Sequence, residues 1–328
     1  MKRRIIILFS LFILSFSAAF AGNGDQLVEK TKTYTKSYSI SGGDMITLDN
    51  QFGEMKINTW DKNEIRVDVR IEARGSTEEI AQRILDNIYI EDSKNASGVS
   101  FLTKMKNQNM KWNNDKNKEY KEMGMKIDYT VNLPSGNPLS ATNQFGPMSL
   151  PDYRGQVMLV SKFGSLTTGK LNDVKEVNVE FGEAKIESVN GGKLTVKFSK
   201  GEINNVNGNV IARFEFCDKL KIGLDNNTKD LDIKSSYSTL YLDAASNLSS
   251  NISIKTSFGE FSNKTSFNIK KEGDDDDDKY GPKFDKQFSG TAGSGANKLR
   301  VKSDFGEVIL GHNLQVDMTS KSKTKVKV

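Results

Sequence analysis

A short phrase recurs nine times in this chain of 328 residues: an aliphatic residue, an aromatic four positions later, usually a glycine, then an apolar residue. The run 177–186, VNVEFGEAKI, shows it most clearly. The aromatics are Phe52, Phe145, Phe163, Phe181, Phe198, Phe214, Tyr237, Phe258 and Phe305. Glycine follows six of them, as Gly53, Gly146, Gly164, Gly182, Gly259 and Gly306. Internal repetition of this kind limits the architecture more than composition does.

From Phe145 to Phe258 the aromatics recur every 16–23 residues, and a longer gap before Phe305 leaves room for an insertion. Ahead of the aromatic, apolar and polar residues alternate (Val177, Val179, Phe181), as in a strand with one buried face. Beyond it the apolar phase slips by one, to Ala184 and Ile186. Such a slip exposes the apolar set unless the chain bends there, and glycine is expected to supply the permissive corner. Each unit is thus strand, corner, strand, too small to bury its own apolar face. Stacking the units in succession predicts an all-β repeat fold, a β-solenoid with its aromatics in a column; a single-sheet meander is the competing arrangement.

Met1 to Arg4 is basic, Ile5 to Phe16 apolar, and Ala19-Phe20-Ala21 offers a small-x-small cleavage site, so residues 1–21 are expected to be a signal peptide. Export to the periplasm, outer surface or medium follows, with no transmembrane segment after cleavage. The formal charge of +5 includes three basic leader residues; without them 44 basic residues face 42 acidic ones, so nucleic acid is not an expected partner. The lone Cys217 excludes an internal disulfide and occupies a core slot of the repeat.

Residues 22–36 are polar and expected to be a mobile lead-in, followed by an N-terminal β region over 37–138. Within it, Ser76 as cap and Glu79 completing a capping box start the one convincing helix, over 77–88. Residues 102–124 are expected to form a polar loop in which Trp112 is a candidate for stacking on a sugar or base. An alternating strand then ends at Pro134.

Several features now come together: an early strand–Phe52-Gly53–strand unit, the Trp60-Asp61 turn, the single helix, the segment Val131-Asn132-Leu133-Pro134-Ser135-Gly136, and close repeats from Asn143-Gln144-Phe145-Gly146 onward. In these, from Ile46 to Leu310, the chain resembles the bacterial putative-adhesin family, exported β-solenoids common in Bacteroidota. The resemblance implies fold more than function, and it brings no catalytic residues with it.

The repeat region spans 139–315, with an insertion over 264–297 and a basic strand or tail over 316–328. Its turns are rich in Asn and Gly, which tolerate corners. Glu54, Glu183, Glu260 and Glu307 stand two places after an aromatic, out of phase with the core, and are expected to be solvated edge charges. In the insertion, Asp274, Asp276 and Asp278 belong to an aspartate run that could collect calcium, the one cofactor expectation, though without EF-hand spacing a solvated loop is the plainer expectation. The terminal lysines suit an edge strand that discourages end-to-end stacking, or a tail that meets anionic polymers.

Catalytic motifs are lacking. His312 is the only histidine, and there is no P-loop, nucleophile elbow or zincin helix. The sequence therefore points away from an enzyme, towards an exported adhesin-like module whose partner is a cell-surface glycan or an envelope protein. Two alternatives stay open: a structural or signalling envelope protein docking a protein partner, and a carbohydrate-active β-helix enzyme with paired carboxylates.

Overall fold

The computed structural model describes residues 27–107, 124–273 and 284–319. Among them are 22 strands in one hydrogen-bonded, mostly parallel sheet and a single helix, Glu78–Asn87. No helix in this part is long and apolar enough to cross a membrane. The leader, Trp112, the aspartate run and the terminal lysines lie outside the described residues.

Each repeat contributes one strand before its aromatic and one after, and each strand pairs in parallel with its equivalents in neighbouring repeats. Before the corner, Leu159 aligns with Val177, Val177 with Leu194, and Leu194 with Ala212. After the corner, Leu166 aligns with Ala184, Ala184 with Gly201, and Gly201 with Leu220. Alternation buries these rows, and the apolar residues among them form one continuous core.

The register corrects one repeat. Val196 aligns with Phe214, so Phe214 is a core residue, and Phe216 takes the corner. The stretch Val210, Ala212, Phe214, Phe216 keeps one parity throughout, and no glycine marks its end. Periodicity alone cannot tell which aromatic turns outward.

The stacking order also departs from the chain order. The last repeat, Asn297–Asp304, lies between Thr228–Ser236 and Ser250–Ser257, parallel to both. The outer edge of Ser250–Ser257 is closed by Asp285–Ala292, running antiparallel, within the expected insertion. An open sheet edge invites pairing with another chain, and this hairpin-like return occupies it.

The other end is closed similarly. Gly98–Met105 and Gly124–Leu133 form a layer parallel to Met45–Gln51 and Met55–Thr59. Beyond it come the antiparallel strands Ile88–Asn95 and Glu64–Gly75, and Val28–Ser39 pairs with the latter. The expected mobile lead-in is therefore a strand from Val28 onward, because its Thr/Lys/Tyr alternation matches the free edge of Glu64–Gly75. The helix packs here with Thr77, not Ser76, as its N-cap: the Thr77 side chain accepts from the Ile80 N–H at 3.3 Å. Lys32 donates to the carbonyls of Leu85 and Ile88, placing a cation at the helix C-terminus, where the dipole favours it. At the far end of the chain, residues 312–319 form no strand; Lys219 and Lys200 bond the carbonyls of Asp317 and Met318, so this segment runs back across earlier layers.

Candidate contact surface: a stack of aromatic rings

Every corner aromatic has a left-handed backbone. φ is 67° at Phe52, 57° at Phe181, 54° at Phe216 and 50° at Tyr237. The ring residue, rather than the glycine after it, makes the turn. That conformation costs an L-residue with a β-carbon about 1–2 kcal/mol. The glycines answer a different need: a β-carbon on Gly146, Gly164 or Gly182 would lie within 2.0 Å of the carbonyl oxygen one layer below.

Turned outward, the rings stack. In spatial order they are Phe52, Phe145, Phe163, Phe181, Phe198, Phe216, Tyr237, Phe305, Phe258 and Phe284. Centroids are 4.5–5.2 Å apart, and the planes are parallel within 5° except for 19° at Phe284. This is the strand-to-strand spacing, so the sheet itself sets the interval. Each ring covers its neighbour's face and leaves its edge in solvent: from Phe145 to Phe305 the rings are about half exposed (46–54 %). Such pairs contribute about 0.5–1.5 kcal/mol each, comparable with the backbone strain they accompany.

A buried amide network supports the first corners. Asn143 Nδ2 donates to the carbonyls of Gly53 (3.0 Å) and Gly146 (2.9 Å), and Asn50 Nδ2 donates to Asn143 Oδ1 (3.0 Å). In later layers this inward row carries Ser235, Ser303 and Thr256, whose hydroxyls have no hydrogen-bond partner.

Two rows of charge flank the rings. Before Phe163, Phe181, Phe198 and Phe216 stand Lys162, Glu180, Lys197 and Glu215, with salt bridges Lys162–Glu180 (3.2 Å) and Lys197–Glu215 (3.0 Å). On the other side Glu183 pairs with Lys185 (3.2 Å) and Lys200 (3.7 Å), as befits an edge charge. The stack ends beyond Phe52 because Lys126 takes the ring's place in the next layer. There Phe52, Phe145 and Met125 wall a recess of about 540 Å³ with Glu54, Arg74 and Lys126 at its rim.

The remaining candidates resolve simply. Cys217 is buried, and burial pushes its thiol up to about 11. His312 Nδ1 lies 2.7 Å from the Ala244 carbonyl, in the segment after the last strand. Among the described residues no group of three His, Cys, Asp or Glu is placed to hold a metal ion. Sequence reasoning missed Phe216, discussed above, and Phe284, which follows no repeat phrase and enters the stack only through the antiparallel return.

No protein-family model and no curated protein gives a significant match to the chain. Solved structures do. The chain resembles solved putative adhesins. One from Bacteroides fragilis is 14 % identical, over 85 % of this chain and 97 % of that one, with a TM-score of 0.38. One from Parabacteroides distasonis is 11 % identical over the same shares, with a TM-score of 0.39. A protein from P. distasonis described as a putative lipid binding protein is 12 % identical over 85 % of this chain and 96 % of that one, with a TM-score of 0.33. The resemblance drawn from the repeat motifs is to this same group of putative adhesins.

Proposed function

We propose that this chain is an exported, non-catalytic, adhesin-like module, a β-solenoid that works by contact along its ring stack. The stack carries the proposal. The half-exposed rings, Phe145 to Phe284 in the stack, span eight intervals and make an apolar stripe roughly 40 Å long. Idle patches on monomers rarely exceed a few hundred Å². Support for a solenoid comes from the parallel pairing of both arms of successive repeats, since neighbouring strands of a meander run antiparallel. Support for export comes from the leader-like N-terminal sequence.

The stack also favours a protein partner over a glycan. A sugar or a base packs on a ring face, and here the faces between neighbouring rings are taken. Ring edges repeating at strand spacing suit a partner that offers apolar side chains at intervals. The test is a glycan array together with a pull-down from the cell envelope, comparing the native chain with the double variant Phe181→Ser, Phe198→Ser. The expected result is capture of a protein by the native chain only. Capture unaffected by the double variant, or cleavage of a glycan, would overturn the proposal.

A further inference from the structure

The geometry points to a second copy of this chain as the occupant of the ring stack, lying antiparallel, with a twofold axis between the Phe181 and Phe198 layers. This rests on the reading of the stack as a contact surface. In that arrangement the row before the rings faces its own counterpart in reverse order. Glu180 meets Lys197 of the partner subunit, and Lys162 meets the partner subunit's Glu215. In the row beyond the rings, Glu183 meets Lys200 of the partner subunit. Each meeting occurs twice by symmetry, which is the signature of an isologous interface. One like-charged pair remains, Glu54 with the partner's Glu307, at the outer ends of the overlap.

Other arrangements fare worse. A parallel pairing sets the row before the rings against the row beyond them in the same layer, so Glu180 faces the partner's Glu183 and Lys197 faces the partner's Lys200. Centring the twofold on Phe181 itself opposes Glu180 to its own copy and Lys162 to the partner's Lys197. Like charges directly opposed disfavour both.

The size also fits. Eight rings, from Phe52 to Phe305, overlap in the favoured register. An aromatic side chain presents about 150–250 Å², so the seven half-exposed rings among them leave on the order of 700 Å² per copy, close to the usual contribution of one partner to a stable interface. Lys162, Glu180, Lys197, Glu215, Glu183 and Lys200 already pair within one copy, so their meetings across the axis add to existing ion pairs rather than desolvating lone charges.

Sedimentation velocity of the chain, purified after export as the cell processes it, tests this between 1 and 100 µM at moderate salt. A dimer is expected, and Phe181→Ser with Phe198→Ser should leave a folded monomer. Lys197→Glu should weaken the dimer at least tenfold. Mixing the Lys197→Glu chain with a Glu180→Lys chain should restore it as a mixed dimer, because both cross-copy meetings are then opposite while positions 180 and 197, neighbours within one copy, stay like-charged in each; a merely intramolecular role for these charges predicts no rescue on mixing. A native chain that stays monomeric throughout, a dimer indifferent to the ring variant, or a monomer that takes up a fluorescent fatty acid along the rings would overturn the inference. If that monomer still captures an envelope protein through Phe181 and Phe198, the contact reading survives; if capture ignores the rings, both fall.

Discussion

A β-carbon built on Gly182 would lie 1.7 Å from the carbonyl oxygen of Gly164, one layer away. The corner glycines therefore admit the close approach of these layers, while the ring interval belongs to the sheet: it is unchanged at Phe198, Phe216 and Tyr237, which no glycine follows. Gly182→Ala should cost more than about 3 kcal/mol or prevent folding, because the obstacle is backbone that cannot swing aside. Gly42, with nothing within 4 Å of an added β-carbon, is the control, and Gly42→Ala should change urea stability by less than about 1 kcal/mol.

The left-handed backbone at Phe181 separates the ring's two contributions. Phe181→Ala loses stacking on both faces and keeps the strain, and should destabilise by about 1–3 kcal/mol. Phe181→Asn loses the same stacking but tolerates the left-handed region, and should recover several tenths of that. Equal urea midpoints for the two variants would argue against strain at the corner.

The inward polar row predicts opposite outcomes at its two ends. Thr256→Val removes a buried hydroxyl without a partner at nearly constant volume, so it should leave stability unchanged or raise it by up to about 2 kcal/mol. Asn143→Leu removes the donor to Gly53 and Gly146 and should cost about 2–4 kcal/mol. Thermal melts of the two variants check the pair.

Cys217 should resist iodoacetamide at pH 8 in the folded chain and react promptly in urea, since burial keeps the thiol protonated. The folded thiol titrates above its ordinary value. Its contribution to stability is thus full below about 9 and lost as the pH rises towards about 11. The alkaline fall in melting temperature should be smaller in Cys217→Ala.

Much of this was legible in the repeat. Alternation before Phe181 and the phase slip after it announced strand, corner, strand, and stacking equal units announced a column of rings. But the alternation set Phe181 in the buried row with Val177 and Val179, whereas its left-handed backbone turns the ring out, half exposed. Three things were not legible. Phe214 and Phe216 share parity, so only the neighbouring layer's register decides between them. The place of the Phe305 layer between Tyr237 and Phe258 depends on the antiparallel return, a long-range pairing without a local signal. The φ of the corner rings was hidden because glycine beside an aromatic suggests that glycine does the turning, whereas here it makes room for a carbonyl.

Oxidative footprinting of the rings tests the central claim most directly, comparing the dilute purified chain with the chain in intact envelopes. Contact along the stack predicts that Phe163, Phe181, Phe198 and Phe216 react readily in dilute solution and are protected together in the envelope. Rings equally reactive in both settings, with protection appearing elsewhere, would contradict it.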